Sequence, residues 1–183
     1  MRKSKTKKMI LNAILLGLGM LLNQLAPAIA VGITPDVTLV MLCCIILINL
    51  DDYKTCLIAG IIAGVFTALT TKFPGGQAPN MIDKLVTINV IYFLAKTMYM
   101  LPIAKKLGKK MNMIAVILMS AIGTVVSGFV FLYSASLIVG LPGGIVQLFV
   151  VVVLPTVVIN IITAFIVYNI IALSLRRSSM QIG

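Results

Sequence analysis

The residues between positions 72 and 84 show the greatest chemical variety in this chain. Two prolines and a glycine pair interrupt the apolar sequence there, which predicts a loop between two helices. The polar side chains in or next to this loop are Gln77, Asn80, Asp83 and Lys84. A carboxylate can pair with an ammonium group, and a lysine or the free amides of a helix N-terminus can pair with a carboxylate. The segment suits a small zwitterion, and a plain solvated turn is the alternative interpretation.

Each of these residues has an expected role. Asp83 is predicted in the first turn of the following helix, where the helix dipole stabilises a negative charge, and is expected to receive the ligand's ammonium group. Gln77 and Asn80 would add hydrogen bonds, and Tyr92 would border the ligand's side chain. The glycines Gly75 and Gly76 have no Cβ, so their backbone amides can approach a ligand closely.

A second loop repeats part of the first. Leu141-Pro142-Gly143-Gly144 follows the pattern of Phe73-Pro74-Gly75-Gly76. Repeats of this kind frame the substrate site in many transporters, which adds Gly143 and Gly144 to the candidate binding residues. Independent use of Pro-Gly-Gly as a tight turn explains the repeat equally well.

The residue types that the chain lacks narrow its function. It has no histidine, no glutamate and only four aspartates, whereas acid–base catalysis and metal-assisted hydrolysis draw mainly on these side chains. It has no GxxxxGK[ST] loop for ATP. The sequence therefore predicts neither an enzyme nor a catalytic residue, cofactor or metal site, and its three cysteines are expected to pack as small apolar side chains.

The elements that must position these residues are apolar helices. The chain is 61% hydrophobic with a mean hydropathy of +1.16, too apolar for a soluble protein of 183 residues. We predict an all-α integral membrane protein with a single transmembrane domain at 9–175, between a basic N-terminus at 1–8 and a short tail at 176–183. The six apolar blocks are Met9–Ala30, Pro35–Leu50, Cys56–Thr71, Met81–Leu101, Met111–Val139 and Ile145–Leu175. The second and third blocks are short for full spans, so a re-entrant hairpin is the alternative there.

The basic residues orient the predicted bundle. With the N-terminus in the cytoplasm, thirteen of the fifteen lysines and arginines lie inside and only Lys72 and Lys84 lie outside. Cationic flanks resist translocation, so both termini are expected in the cytoplasm. The net charge of +11 is spread over separate loops, which favours contact with lipid headgroups over nucleic acid.

The first helix has a face of small side chains. Ala13 and Gly17 are four residues apart, a spacing that allows two helices to approach closely in lipid. The partner of this face could be another protein or another helix of the same chain.

These features together resemble two related groups of proteins. Six helices, a basic N-terminus and no ATP site resemble the substrate-binding S components of energy-coupling-factor (ECF) transporters. The opening Met9–Ala13, the turn Asp51–Thr55 and the loop Phe73–Asn80 with Asp83-Lys84 resemble the tryptophan transporter family of Gram-positive bacteria, over most of the chain.

The resemblance implies uptake of tryptophan across the cell membrane of a Gram-positive bacterium. It also implies an S-component-like bundle that docks on a transmembrane coupling protein driven by two ATPases, through small residues that correspond to Ala13 and Gly17. Two other classes stay open at this point: a structural membrane protein of the cell-shape or division apparatus, and a self-sufficient secondary carrier.

Overall fold

Six principal helices form one bundle. The computed structural model describes residues 2–27 and 34–177, and every regular element in this part of the chain is helical. The elements are α1 Arg2–Leu25, α2 Val37–Ile48, α3 Tyr53–Thr70, α4 Gln77–Met100, α5 Pro102–Leu107, α6 Lys109–Ile138, α7 Ile145–Leu148 and α8 Leu154–Arg177, with the π-helical residues Phe149–Val153 joining α7 to α8. The prediction of an all-α protein with six principal helices is confirmed.

Successive principal helices run in opposite directions, so their connections collect at two ends of the bundle. We call the end with residues 71–76 and 139–144 the upper end, and the end with residues 49–52 and 101–108 the lower end. The predicted outer loops therefore share one end. Most of the basic residues, which the sequence places in the cytoplasm, belong to the other.

Four helical stretches of the described chain are long and apolar enough to cross a membrane: Lys5–Leu25, Tyr53–Thr70, Lys110–Ile138 and Ile145–Ser174. Large apolar side chains are exposed on all four, as expected for surfaces in contact with lipid: examples are Ile14, Leu69, Leu137 and Ile162. This pattern confirms a helical membrane protein.

The shortest principal helix, α2, lies at the centre. All of its twelve residues are buried, and it packs against α1, α3, α4, α6 and α8. Twelve residues rise only about 18 Å, less than the roughly 30 Å hydrocarbon layer of a bilayer. Asp36 caps its N-terminus by accepting a hydrogen bond from the Leu39 amide at 3.0 Å, and Asn49 caps its C-terminus. A short, fully buried helix of this kind is stabilised by its neighbours rather than by lipid.

Helix α4 begins four residues before the predicted start. It runs from Gln77, so Asp83 is the seventh residue of the helix and not part of the first turn; the predicted position was wrong. The reason lies in Pro79, which was taken as a helix breaker. A proline in the first turn is tolerated because an amide there has no intrahelical acceptor.

Helix α1 also begins early, at Arg2 rather than Met9, since lysine and arginine are good helix formers. It ends at Leu25, and residues 28–30 of the predicted block lie outside the described residues.

The last transmembrane helix is irregular where the sequence places a proline. Pro155 lacks a backbone N–H, and the residues just before it, Phe149–Val153, form a π-helical segment. The Thr156 hydroxyl donates to the Val152 carbonyl at 2.8 Å, which satisfies a backbone acceptor in this region. A π segment inside a helix often marks a functional site.

Candidate functional site

A cavity opens at the upper end, between the ends of α1, α3 and α4 on one side and α6 with the π segment on the other. It contains about 690 Å³ of empty space, including the part open to the outside. Its walls combine hydroxyl, amide and charged groups with apolar side chains. The lining residues are Asn23, Thr34, Asp36, Thr67, Thr70, Thr71, Lys72, Phe73, Asn80, Asp83, Lys84, Thr124, Ser127, Gly128, Phe131, Leu132, Val152, Val153 and Thr156.

Three charged side chains meet on the cavity wall, and we call Asp36, Asp83 and Lys84 the charged triad. The Lys84 ammonium lies 2.6 Å from Asp36 Oδ2 and also pairs with Asp83 Oδ2. Lys84 is only 1% exposed, although the sequence suggested a lysine in an outer loop. With all three groups ionised, the two carboxylates and one ammonium carry one excess negative charge. Buried charges are costly unless paired, so this arrangement requires all three partners.

Asp83 is held on every side by groups of the same chain. Its Oδ2 accepts hydrogen bonds from Lys84 and, at 2.8 Å, from the Ser127 hydroxyl, and its Oδ1 accepts one from the Thr87 hydroxyl at 2.8 Å. The residue is 2% exposed. Asp83 therefore lines the cavity but has little surface left for a ligand.

Asp36 is the more accessible carboxylate of the triad. Its side chain is 16% exposed, compared with 2% for Asp83. One oxygen caps α2 and the other meets Lys84. The adjacent Val37 amide donates to Asn23 Oδ1 at 2.8 Å, which fixes the N-terminus of α2 against α1. The sequence alone did not single out Asp36, because a lone aspartate before an apolar block is typical of any helix cap.

The mouth of the cavity combines a cation with an aromatic pair. The exposed Lys72 donates from Nζ to the Ala26 carbonyl at 2.6 Å, which links the end of α3 to the end of α1. Phe73 is buried and meets Phe131 edge to face, with ring centroids 5.5 Å apart. An aromatic ring of a ligand could pack against this pair.

The structure brings only part of the predicted site together. Asn80, Asp83 and Lys84 line the cavity, and the Asn80 amide nitrogen donates to the Gly76 carbonyl at 2.8 Å. The other predicted binding residues, Gly75, Gly76, Gln77, Tyr92, Gly143 and Gly144, are absent from the cavity lining.

The positions of those other residues have clear structural causes. Gly75 has φ +71°, and a Cβ there would come within 2.7 Å of the Val139 side chain, so it allows the two upper loops to pack together. Tyr92 lies toward the lower end, where its hydroxyl donates to the Leu50 carbonyl at 2.9 Å. Gln77, Gly143 and Gly144 are exposed at the upper end.

Sequence reasoning missed several lining residues that are polar and lie within apolar helices. Asn23, Thr67, Thr124 and Ser127 belong to this group and are all buried. A polar side chain in a membrane helix is costly when it faces lipid, so its presence predicts an inward orientation. That signal identifies these residues as a group, but it does not say which of them share a cavity.

The groups that line the cavity are suited to binding a small polar molecule. The described residues contain no group of three His, Cys, Asp or Glu side chains that could hold a metal ion. The triad offers an excess negative charge for a cationic group, Lys72 offers a positive charge at the mouth, and the threonines offer hydroxyls. These features match a small molecule with both an ammonium and a carboxylate group.

Comparisons with known proteins agree with this description. The model of the family "Tryptophan transporter TrpP" matches residues 5–176. A "Probable tryptophan transport protein" of Clostridium acetobutylicum is 44% identical over 170 residues, covering 93% of this chain and 94% of the relative. Proteins of the same name from Clostridium perfringens and Bacillus subtilis are 38% and 41% identical, each covering at least 97% of both chains. No solved structure gives a significant match.

The family match spans nearly the whole chain, and the relatives are named as transport proteins rather than enzymes or cell-shape proteins. Because the family model matches nearly the whole chain and the relatives are near 40% identical to it, the chain belongs to the TrpP tryptophan transporter family.

Proposed function

We propose that this protein takes up tryptophan and binds it in the upper cavity, with the amino-acid group near the charged triad. The observation that carries this proposal is the charged triad, with two carboxylates around one ammonium, on the wall of a cavity that also holds an aromatic pair. The names of the relatives support tryptophan as the substrate.

Within the triad, Asp36 is the better partner for the substrate's ammonium group. It is the more exposed carboxylate, whereas the oxygens of Asp83 already accept hydrogen bonds from Lys84, Ser127 and Thr87. Asp83 then acts mainly by positioning Lys84. This assignment changes the expectation from the sequence, in which Asp83 received the ammonium group.

The substrate's carboxylate has a partner at the mouth. Lys72 is exposed and holds only a backbone carbonyl, which a carboxylate can replace as an acceptor. A charge-assisted hydrogen bond to a carboxylate is stronger than one to a neutral carbonyl. Closing Lys72 over the bound amino acid would also separate the cavity from water.

Binding is tested by fluorescence, because the chain contains no tryptophan of its own. Free tryptophan is titrated with purified protein in nanodiscs, and the emission of the ligand's indole is followed. A saturable blue shift that tyrosine does not displace supports the proposal. An unchanged spectrum at high protein concentration contradicts it.

We further propose that transport depends on an ECF-type coupling protein and two ATPases. The chain has no ATP-binding loop, and the Ala13–Gly17 face of α1 is open: Ala13 is exposed, and no neighbouring atom lies within 4 Å of the Cβ position at Gly17. The alternative that this face packs against another helix of the same chain is not supported by these contacts.

The coupling proposal predicts different effects on binding and transport. Gly17→Leu should lower ATP-driven uptake in proteoliposomes that contain the coupling proteins, while tryptophan binding stays unchanged. Leu21→Met, a conservative change at another exposed position of α1, is the control. Equal uptake by both variants would show that this face is not part of the docking surface.

A second candidate is a self-sufficient secondary carrier, and the buried triad favours it. Ionisable residues inside a membrane protein often belong to the pathway of a coupled ion. Liposomes that contain only this protein and no ATP distinguish the two mechanisms. Uptake driven by a proton or sodium gradient would establish the carrier, and uptake only with the coupling proteins and ATP would establish the ECF-type mechanism.

A further inference from the structure

Below the charged triad lies a layer of buried polar side chains that the proposed roles do not use. We call Ser120 and Thr124 of α6 and Asn160 of α8 the polar layer. The three residues are each at most 3% exposed. They connect the two helices by hydrogen bonds, and Thr124 also lines the floor of the cavity.

The hydrogen bonds in the polar layer determine the orientation of the Asn160 amide. The Thr124 hydroxyl donates its proton to the Ser120 carbonyl at 2.6 Å. It can therefore only accept from Asn160, whose Nδ2 lies 2.9 Å away. The other side of the amide, Oδ1, must point away from Thr124.

This Oδ1 atom is a buried acceptor with no hydrogen-bond partner among the described residues. Leaving such an atom unpaired is costly, and buried polar groups in folded proteins nearly always have a partner. Asn160 does not itself line the cavity, but it bonds to Thr124, which does. A donor from outside the chain, such as a ligand or a water molecule, would satisfy this acceptor.

The substrate named in the proposed function, on which this inference rests, carries such a donor. An indole N–H donates one hydrogen bond and accepts none. We infer that Asn160 Oδ1 accepts a hydrogen bond from the indole N–H and thereby selects tryptophan over aromatic amino acids that lack this group.

The layout of the helices is compatible with this contact. Ser127, which bonds to the triad, lies three residues after Thr124, or about 4.5 Å along the axis of α6. The polar layer therefore begins about one helical turn below the triad on α6. Thr156, which lines the cavity, is one turn before Asn160 on α8.

The ring must enter between Thr124 and Thr156 to reach Asn160, which is fully buried in this structure. The π segment Phe149–Val153 lies above Asn160, at the level of the triad, where Val153 packs closely against Gly128. Val152 and Val153 of this segment line the cavity.

The test compares tryptophan with 3-benzothienylalanine, which has sulfur in place of the indole N–H and nearly the same shape. The analogue is used to displace tryptophan from wild-type protein, and the fluorescence of bound tryptophan is followed. Wild-type protein should bind the analogue about tenfold more weakly, the effect of one lost hydrogen bond. Equal affinities would overturn the inference without any variant.

Two substitutions test whether Asn160 causes the difference in affinity between tryptophan and the analogue. Asn160→Leu should weaken tryptophan binding and bring the ratio of the two affinities close to one. Asn169→Leu is the matched control on the same helix, since Asn169 bonds only locally to the Phe165 carbonyl, and it should keep the wild-type ratio. A tenfold ratio that persists in Asn160→Leu would assign selectivity to another residue.

The outcomes separate this inference from the function on which it rests. Saturable tryptophan binding with equal affinity for the analogue leaves the proposed function standing and overturns the role of Asn160. Absence of any tryptophan signal from the wild-type protein overturns both.

Discussion

Lys84 Nζ lies 2.6 Å from Asp36 Oδ2, and this ion pair joins the third turn of α4 to the N-terminus of the central helix α2. The pair is 48 residues apart in sequence (84 minus 36) and sits on the wall of the substrate cavity. Because Asp36 also caps α2, a ligand that changes this pair acts on the helix at the centre of the bundle. In the proposed site, substrate binding and the packing of α2 are therefore connected through one carboxylate.

Removing the cation of the triad should strongly destabilise the protein. Lys84→Met leaves Asp36 and Asp83 buried without their counter-ion, and loss of one partner from a buried ion pair costs about 3–5 kcal/mol. The midpoint of thermal unfolding in detergent measures this loss. Lys96→Met removes an exposed lysine from the same helix and should leave the midpoint unchanged.

A triple variant provides the complementary test. Lys84→Met combined with Asp36→Asn and Asp83→Asn removes all three charges, so it should recover much of the lost stability. It should nevertheless fail to bind tryptophan. If the single Lys84→Met variant were as stable as the wild type, Lys84 would not be paired with Asp36 and Asp83 in solution.

The two aspartates of the triad should differ in function. Asp36→Asn removes the proposed partner of the substrate's ammonium and should weaken tryptophan binding by about 1.5–3 kcal/mol, the value of a hydrogen bond to a charged group. Asp83→Asn should reduce thermal stability more than affinity, because Asp83 bonds to the protein itself. Asp51→Asn, exposed at the lower end, is the control for both measurements. If Asp83→Asn abolished binding while Asp36→Asn left it intact, the original expectation for Asp83 would be restored.

Much of this arrangement could be predicted from the sequence, because bilayer physics imposes a simple pattern on apolar helices. The six blocks correspond to the six principal helices, and the loop that precedes Asp83 does lie beside the cavity. The burial of Lys84 could not be predicted in the same way. It depends on Asp36, whose position relative to α4 is determined by helix packing and not by any local pattern.

The remaining differences between the sequence predictions and the structure have local causes. Pro79 resembled a helix breaker, but it occupies the first turn of α4, and this placed Asp83 in the second turn of the helix rather than in the first. Asn160 stands in the sequence as a polar residue within the last apolar block. Its unpaired oxygen depends on the direction in which the Thr124 hydroxyl donates, which no sequence pattern encodes.

Asp52 should make the turn between α2 and α3 sensitive to acid. It caps α3 by accepting hydrogen bonds from the Thr55 amide at 3.1 Å and the Thr55 hydroxyl at 2.9 Å, and these bonds hold the pKa of Asp52 below its ordinary value of 3.8. A carboxyl whose pKa is lowered by folding stabilises the folded state above the unfolded pKa, and this contribution disappears as the pH falls through the folded pKa.

The measurement compares Asp52→Asn with the wild type at two pH values. At pH 7 the variant should unfold at a lower temperature, since it lacks the charged cap. Near pH 2 the two midpoints should converge. Asp51 is exposed next to Asp52, so Asp51→Asn should unfold at the wild-type temperature at both pH values. If the midpoints of Asp52→Asn and the wild type differed equally at both pH values, the ionised cap would be excluded as the cause.

Two glycines should respond in opposite ways to the same substitution. A Cβ at Gly60 of α3 would come within 2.7 Å of the Ile88 side chain of α4. At Gly17 of α1, by contrast, no neighbouring atom lies within 4 Å of the Cβ position. Gly60→Ala should therefore force apart two closely packed helices, and overpacking of this kind costs about 1–3 kcal/mol. Gly17→Ala should leave the stability unchanged or raise it slightly, because alanine is the better helix former.

Unfolding midpoints of the two variants in the same detergent provide the comparison. Because α4 carries Asp83 and Lys84, a displacement of α4 by Gly60→Ala should also weaken tryptophan binding, although Gly60 does not line the cavity. The double variant Gly60→Ala/Ile88→Ala removes two of the three Ile88 atoms that the added methyl group would meet, and it should recover part of both losses. Recovery of stability without recovery of binding would show that α4 and the cavity are not coupled through this contact.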